Sequence, residues 1–318
     1  MRDVFIERLT ALAASNPRIF LITGDLGFGV LTDFAKKFPS QFLNVGIAEQ
    51  NMIGVATGLA LEGRTVFVYS IGNFPTLRCL EQIRNDACYH NANVKIVLIG
   101  GGFSYGGLGM SHHATEDFAI MRVLPNMTVV VPGDAWEAAE ATSAIAMHPG
   151  VCYLRLDKSK APITHRPEEA FELGKIRVVR DGSDVTLVCC GGILATVLKA
   201  AETLAEHGVS CRVLSMHTLK PFDHVSLVRL TRDTPVVVTV EEHAINGGLG
   251  GAVAESLMEA GIHPKRFLRI GLNDTYSAIV GSQEYLRKQY GMDEGAIVAR
   301  TLAIAGVSAV EEIREAYF

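Results

Sequence analysis

The sequence predicts an α/β protein with two doubly wound α/β/α domains whose sheets are mainly parallel. Short runs rich in Val and Ile have the length of buried strands, as at 94–99 and 236–240. Helix-length segments separate these runs, and this alternation is typical of parallel sheets covered by helices. A polar stretch with Pro162 and Pro167 then interrupts the pattern. We predict a first domain over 1–160, a linker over 161–174 and a second domain over 175–318.

Each predicted element of the first half follows from a local pattern. Helices are assigned where apolar residues recur every three or four positions, and strands where a short apolar run stands between turn residues. The predicted helices span 5–14, 48–61, 77–88 and 136–147. The predicted strands span 19–23, 65–69, 94–99, 128–131 and 152–156.

The second half repeats the alternation of strands and helices. The predicted strands span 185–190, 211–215 and 235–240. The predicted helices span 195–207 and 249–260. The two halves share this general order and no detectable repeat.

The composition excludes several classes of function. The 318 residues carry 29 Lys and Arg against 34 Asp and Glu, a net charge of −5 without a basic block, so we expect no nucleic-acid partner. The apolar runs are too short to cross a bilayer and no signal peptide is visible, so we expect no membrane association and a cytoplasmic location. The six cysteines have no spacing typical of metal sites or disulfide frameworks, which predicts buried free thiols.

One glutamate stands where an apolar strand end runs into a helix. Glu49 falls in the first predicted turn, where the helix dipole and free amides favour a carboxylate, although this position is ordinary for a glutamate. Gly54 and Gly58 share one face of the same helix, and each glycine costs about 1 kcal/mol relative to alanine. That face predicts close approach of another helix or a ligand. Because the helix is apolar nearly all round, we expect a subunit interface there.

Two glycine-dense loops follow predicted strands. The loop at 100–109 lies where a phosphate can be cradled, but it has neither the P-loop nor the GxGxxG spacing. The segment 247–251 opens a helix and also lacks the dinucleotide spacing. We expect 247–251 to be a tight turn with close helix packing.

Several further motifs occur in one order along nearly the whole chain. They are IAEQN at 47–51, RCLEQIR at 78–84, GMSHHATED at 109–117, TLKPFD at 218–223 and EEH at 241–243. In this combination the sequence resembles the transketolase family. The first half is similar to that family's pyrimidine-binding domain and the second half to its C-terminal domain. The resemblance implies thiamine diphosphate as the cofactor, with the protein supplying orientation and electrostatics.

The resemblance implies a set of cofactor-binding residues. Glu49 matches the glutamate that hydrogen-bonds the aminopyrimidine ring of the cofactor and so promotes loss of the thiazolium proton. Phe74 is the candidate for packing on that ring, and Ile47 and Arg78 are further candidates for cofactor contact. Asp25 is either an acid near the cofactor at a subunit interface or a simple turn residue.

The resemblance also implies substrate residues in the loop after strand 94–99. His112 stands four residues before Glu116, as the family's substrate histidine does before an acid, so it is expected to assist proton transfer at the substrate. His113 is the alternative. Leu108 stands where sugar-phosphate members carry an aspartate that binds a sugar hydroxyl. This departure predicts a substrate other than the ordinary pentose phosphates.

A third set of residues concerns the substrate phosphate. The family's phosphate-binding arginine aligns with Lys158, and Arg155 is nearby. A lysine still attracts phosphate, but it lacks the bidentate geometry of arginine.

The metal site of the family has no counterpart in this sequence. Full-length members carry another domain with a Gly-Asp-Gly segment and an asparagine, which hold Mg²⁺ against the diphosphate. No Gly-Asp-Gly occurs here, so we expect no metal ligand in this chain and the Mg²⁺ ligands on a partner subunit.

The resemblance therefore implies the C-terminal subunit of a split transketolase. It would transfer a two-carbon ketol unit from a ketose phosphate to an aldose, in a heterotetramer with an N-terminal subunit and a dimer core of its own copies. The alternatives are a β subunit of a 2-oxo-acid dehydrogenase, a deoxyxylulose-phosphate synthase-like enzyme, and a non-catalytic regulatory subunit of the same fold.

Overall fold

The computed structural model describes residues 1–158, 163–166 and 168–306. Pro162 and Pro167 of the predicted linker lie outside the described residues. The chain forms a sheet of seven strands and a sheet of five strands, both mainly parallel and flanked by helices. This architecture confirms the predicted α/β class with two such domains.

Seven strands build the first sheet, in the spatial order β10-β5-β6-β4-β3-β1-β2. They are β1 Ile19–Thr23, β2 Phe42–Asn44, β3 Thr65–Ile71, β4 Val94–Ile99, β5 Met127–Val130, β6 Val151–Leu156 and β10 Thr218–Lys220. Neighbouring strands are parallel except β10, which pairs antiparallel with β5. A strand from the second half of the chain thus completes the first sheet.

The helices of the first half lie between these strands. They are α1 Arg2–Ser15, α2 Thr32–Lys37, α3 Glu49–Leu61, α4 Leu80–Gln82, α5 Asp117–Val123 and α6 Ala135–Met147. Helix α6 begins where the Asp134 carboxylate accepts a hydrogen bond from the Glu137 amide at 2.7 Å, an ordinary N-cap.

The segment 77–88, predicted as one long helix, is irregular. A 3₁₀ turn over Leu77–Cys79 is followed by the short α4 and by a π-helical stretch over Ile83–Cys88. The predicted helix is therefore present over 77–88 but changes its type along the segment, because apolar residues at three- and four-residue intervals indicate a helix without distinguishing α from wider or tighter turns.

The second sheet has the spatial order β12-β11-β8-β9-β7, and β7 alone is antiparallel to its neighbour. Its strands are β7 Arg177–Arg180, β8 Val185–Cys189, β9 Cys211–Ser215, β11 Val236–Ala244 and β12 Arg266–Leu272. The helices that follow the linker are α7 Leu194–Glu206, α8 His224–Thr231, α9 Leu249–Glu259, α10 Gln283–Gln289 and α11 Glu294–Ala305.

The core lies along the strands of both sheets, whose central members are buried at every position. All six cysteines are buried free thiols, as predicted. Within the described ranges, no helix combines the length and the apolar character needed to cross a membrane.

Candidate active site

Glu49 is the first residue of α3 and is almost fully buried, with 3% of its surface exposed. Its carboxylate accepts a hydrogen bond from Arg78 Nη1 at 3.0 Å. The Arg78 side chain is 45% exposed and approaches Glu49 from the solvent side. A carboxylate at the start of a helix is favoured by the helix dipole, and here one cation completes its pairing.

Phe74 contacts this ion pair, and His112 contacts Phe74. The guanidinium carbon of Arg78 lies 4.3 Å from the centre of the Phe74 ring, a cation–π contact. The Phe74 ring meets the His112 ring edge-on, with 5.3 Å between their centres. Glu49, Arg78, Phe74 and His112 therefore form a continuous line of contacts, the Glu49–His112 row. Four residues that the sequence predicted separately are brought together.

The topology of the first sheet explains why these four residues meet. Phe74 follows β3, His112 follows β4, and Glu49 follows the edge strand β2. All these strands are parallel, so the loops after them lie at the same edge of the sheet. Ligand sites in open parallel sheets form at this carboxyl edge.

The position of the His112 loop depends on Gly72 and Asn73, whose roles the sequence did not indicate. Gly72 has a φ of +51°, and a Cβ there would lie 2.9 Å from the His112 carbonyl oxygen. The side-chain amide of Asn73 donates a hydrogen bond to the His113 carbonyl at 2.6 Å. The only signal in the sequence was a Gly-Asn pair directly after a strand, which is also typical of an ordinary turn.

His112 and His113 have different environments. The imidazole of His112 is half-buried, and its Nδ1 lies 3.1 Å from the Ser111 hydroxyl. The imidazole of His113 is buried against the edge of Phe103, and burial lowers its pKa. Because His113 is enclosed within its own loop, we retain His112 alone as the substrate histidine.

The loop that carries Asp25 lies beside Glu49. A Cβ on Gly24 would lie 3.2 Å from the Gly46 carbonyl and 3.8 Å from the Glu49 side chain. Asp25 has a φ of +57°, and its backbone amide donates to the Asn44 side chain at 2.9 Å. Asn44 also accepts from the Gly46 amide at 3.0 Å, so this asparagine, which the sequence did not single out, joins the two loops next to Glu49.

The predicted contact residue Ile47 is strongly exposed. It precedes α3 in the segment that Asn44 holds, and 77% of its surface faces solvent. Such exposure of a large apolar side chain next to a buried carboxylate suits a surface that another molecule covers.

The two candidates for phosphate contact have opposite environments. Lys158 is exposed, and its ammonium lies 4.9 Å from the centre of the Tyr105 ring. The guanidinium of Arg155 is buried and donates through Nε to the Asp117 carboxylate at 2.9 Å. Its Nη2 donates to the carbonyl oxygens of Ala114 and Glu242, each at 3.0 Å. A guanidinium used in this way does not suit a residue that must meet a substrate, whereas the exposed Lys158 is open to one.

In the glycine-dense loop after β4, the space beside the glycines is occupied by side chains of this chain rather than left open for a phosphate. A Cβ on Gly100 would overlap the Tyr105 ring, and one on Gly101 would lie 2.7 Å from the Arg155 guanidinium. A Cβ on Gly102 would overlap the Glu242 carboxylate. These glycines are therefore explained by close packing of three side chains.

At the glycine segment that opens α9, the helix N-terminus is likewise occupied by a side chain of this chain. The Glu241 carboxylate accepts hydrogen bonds from the amides of Leu249 at 2.7 Å and Gly250 at 2.8 Å. This internal anion occupies the position that a bound phosphate takes at a helix N-terminus. Burial raises the pKa of Glu241 to about 7. The predicted tight turn with close helix packing agrees with this arrangement.

The Glu49–His112 row suits the pyrimidine end of thiamine diphosphate. It offers a carboxylate for a ring nitrogen, an aromatic ring for stacking and a histidine at the open end. In the described part of the chain, no group of three or more His, Cys, Asp and Glu residues is arranged to hold a metal ion.

A buried carboxylate, a cation, an aromatic ring and a histidine lie together at the carboxyl edge of a parallel sheet, where ligand sites of α/β enzymes commonly form. The family model of the transketolase pyrimidine-binding domain matches residues 1–164, and that of the transketolase C-terminal domain matches residues 174–297. The chain belongs to the transketolase family.

Individual relatives match the chain along almost its whole length. An apulose-4-phosphate transketolase subunit from Phocaeicola vulgatus is 35% identical over 303 residues, 95% of this chain and 96% of the relative. The 6-deoxy-6-sulfo-D-fructose transketolase subunit SqwH of a Clostridium species is 36% identical over 299 residues, 94% and 92% of the two chains. A solved structure titled split gene transketolase, inactive beta4 tetramer, is 40% identical with a TM-score of 0.87, covering 96% of this chain and 98% of the other.

Proposed function

We propose that this chain is the C-terminal subunit of a split transketolase that uses thiamine diphosphate and works only with a partner subunit. The reaction is the transfer of a two-carbon ketol unit from a ketose phosphate to an aldose. The observation that carries this proposal is the Glu49–His112 row, because a buried carboxylate, an aromatic ring and a histidine lie in one line at the carboxyl edge of the sheet.

Each residue of the row has one role. When bound, thiamine diphosphate supplies the carbanion chemistry. Glu49 would hold the pyrimidine ring through its buried carboxylate, and Arg78 keeps that carboxylate oriented. Phe74 would supply the aromatic surface for the ring. His112 is half-buried at the open end, where it exchanges a proton with the substrate carbonyl or hydroxyl oxygen. Lys158, which is exposed, attracts the substrate phosphate.

Two observations support the need for a partner subunit. The sequence contains no Gly-Asp-Gly segment, which the family resemblance associates with Mg²⁺, and hard oxygen ligands are required to hold that ion against a diphosphate. Two relatives that match almost the whole chain carry the word subunit in their names, and the similar solved structure is titled split gene transketolase, inactive beta4 tetramer. We therefore place the Mg²⁺ and diphosphate contacts on a separate N-terminal subunit.

The glycine face of α3 supports contact with another chain. A Cβ on Gly54 or Gly58 would meet nothing within 4 Å in the described structure, so this face is open rather than packed. Leu61 continues it and is largely exposed. Such an apolar face of small residues suits a second copy of the chain, as a dimer core requires.

The substrate is a sugar derivative that differs from the ordinary pentose phosphates. Leu108 is exposed in the loop that carries His112 and offers no hydrogen bond to a sugar hydroxyl. Two relatives are named for sugars other than the ordinary pentose phosphates, apulose-4-phosphate and 6-deoxy-6-sulfo-D-fructose, which supports an unusual sugar as the substrate.

Cofactor binding by the separate and mixed subunits tests the proposal. Thiamine diphosphate with Mg²⁺ is titrated calorimetrically into this chain alone. It is also titrated into the complex of this chain with a co-expressed N-terminal transketolase subunit. We expect heat of binding only for the mixture. Tight binding of the cofactor by this chain alone would contradict the split-enzyme proposal.

A further inference from the structure

The loop that carries His112 is closed at its base. The amide of Gly102 donates to the Ala114 carbonyl at 2.8 Å, and the amide of Ala114 donates to the Gly102 carbonyl at 3.0 Å. This pair of hydrogen bonds joins the two ends of the segment 103–113, so that His112 sits on a closed loop. The orientation of its base relative to the sheet therefore determines where His112 lies.

A carboxylate from the second half of the chain reaches into this base. Glu242 lies in β11, is buried, and accepts a hydrogen bond from the Phe103 amide. Its carboxylate occupies the space where a Cβ of Gly102 would stand. A glycine is thus needed at position 102 both for its φ of +58° and for the approach of Glu242.

The Glu242 carboxylate is itself held by α10. Gln283 donates to its two oxygens at 3.0 and 3.1 Å, and Arg287 forms an ion pair with it. The same arginine lies 3.7 Å from Asp157. Burial, followed by the neighbouring Glu242 charge, raises the pKa of Asp157. Glu242 is therefore a fixed, fully paired charge rather than a mobile surface group.

Further contacts tie the same loop to the second half of the chain. The Ala244 amide donates to the Thr115 carbonyl at 2.8 Å, immediately after the base of the loop. Further along the loop, the Gly281 amide donates to the Gly106 carbonyl at 3.3 Å. The loop is thus held on one side by Asn73, which follows β3, and on the other by the second domain.

Resting on the proposed function, we propose that Glu242 is a positioning residue that sets the place of His112 from the second domain. It does not touch the reacting atoms. It fixes the Phe103 amide at the base of the loop. The Gly102–Ala114 pairing joins that base to the other end of the segment 103–113, beside His112. The C-terminal domain thereby contributes directly to the geometry of the active site in the first domain.

Hydrogen exchange measured by mass spectrometry tests this inference without any need for activity. Glu242→Gln leaves one acceptor oxygen in place of two, and because the hydrogen bond from the charged Arg287 is the stronger, Arg287 retains that oxygen and the Phe103 amide loses its acceptor. Glu241→Gln is the matched control, because it alters the neighbouring buried carboxylate, which caps α9 and not the loop. We expect faster exchange in peptides of 103–113 for Glu242→Gln, and near the start of α9 for Glu241→Gln. Equal protection of 103–113 in wild type and Glu242→Gln would overturn the inference.

If Glu242→Gln does not fold, Gly102→Ala breaks the same contact from the loop side. Its Cβ would overlap the Glu242 carboxylate. Faster exchange confined to 103–113 is again the expected result, and unchanged exchange there contradicts the inference.

A double-mutant cycle in the reconstituted two-subunit enzyme shows whether Glu242 acts through His112. We expect Glu242→Gln to lower kcat/KM about 10- to 100-fold, with cofactor affinity unchanged because the Glu49 end of the row is intact. In a His112→Ala background the same change has little further effect, since the residue it positions is absent. Independent, multiplying losses would overturn the inference. A wild-type pair with no transketolase activity would contradict the proposed function, while hydrogen exchange would still test the positioning role.

Discussion

Replacing Arg155 by methionine is expected to destabilise the protein strongly because it leaves a buried charge without its cation. Arg155 and Asp117 are both buried, with 2% and 0% of their side chains exposed. Without Arg155, the Asp117 carboxylate keeps the hydrogen bond from the Tyr153 hydroxyl but loses its ion pair. Breaking a buried pair in this way costs about 3–5 kcal/mol of unfolding free energy. The variant also loses the hydrogen bonds to the carbonyls of Ala114 and Glu242, which lie in different domains.

His243 gives this loss of stability a pH dependence. Its Nε2 lies 3.9 Å from the second oxygen of Asp117, and burial, with the Arg155 charge also contributing, lowers its pKa to about 4. Removing Arg155 eliminates one repulsive cation, so the His243 pKa rises. The protonated imidazole can then pair with Asp117. We therefore expect the difference between wild type and Arg155→Met to be smaller at pH 5.5 than at pH 8.

Urea unfolding followed by circular dichroism at both pH values measures this difference. Arg8→Met is the matched control, because Arg8 pairs with Glu140 at 3.0 Å between partly exposed side chains. That variant should lose less than about 1 kcal/mol at either pH. A loss below about 1 kcal/mol for Arg155→Met at pH 8 would refute the reasoning, because it would mean that the buried pair contributes no more than a surface pair.

Three further predictions concern single side chains. Arg78→Leu should lower the unfolding free energy by about 1–3 kcal/mol because it leaves the buried Glu49 carboxylate without its donor, and it should slow the reconstituted reaction at least about 10-fold because Glu49 loses its orienting cation; unchanged turnover would contradict this role. The pKa of His217 is lowered by burial to about 4, so its contribution to stability is present above pH 6.5 and is lost as the pH falls toward 4. Between pH 7.5 and 5 wild type should lose about 2 kcal/mol more than His217→Gln in urea unfolding, and parallel losses would argue against a neutral buried histidine. Gly58→Arg should fold normally, because a Cβ there meets nothing within 4 Å, but should remain a monomer in light scattering; an unchanged oligomer would exclude this face of α3 from the interface.

The fold could be predicted from the sequence because its buried strands are short apolar runs. The runs at β1, β4 and β9 were predicted with the bounds that the structure gives. Strand β10 could not be predicted, since three residues, Thr218–Lys220, carry little periodicity and their partner β5 lies far away in the sequence. The π-helical stretch escaped prediction for a related reason, because side-chain spacing does not determine which backbone groups are bonded.

The site residues in segments that follow strands were easier to predict than contacts between residues that lie far apart in the sequence. Glu49, Phe74 and His112 lie in segments that follow three strands of one parallel sheet, so chain order and motif resemblance were enough to expect them together. The use of Arg155 in a buried pair could not be seen, because it depends on Asp117 and on the packing of two domains. Glu242 lies within the motif EEH, but its contact with Phe103 spans 139 positions and leaves no local signal in the sequence.

Turnover by the reconstituted pair with Glu49→Gln tests the central claim most directly. The two-carbon transfer rate is measured for this chain mixed with its N-terminal partner, thiamine diphosphate, Mg²⁺ and a ketose phosphate donor. Glu62→Gln, at the exposed C-terminal end of the same helix, is the matched control. Glu49→Gln should lower the rate at least about 100-fold, while Glu62→Gln retains wild-type activity. Wild-type turnover by Glu49→Gln would contradict the account.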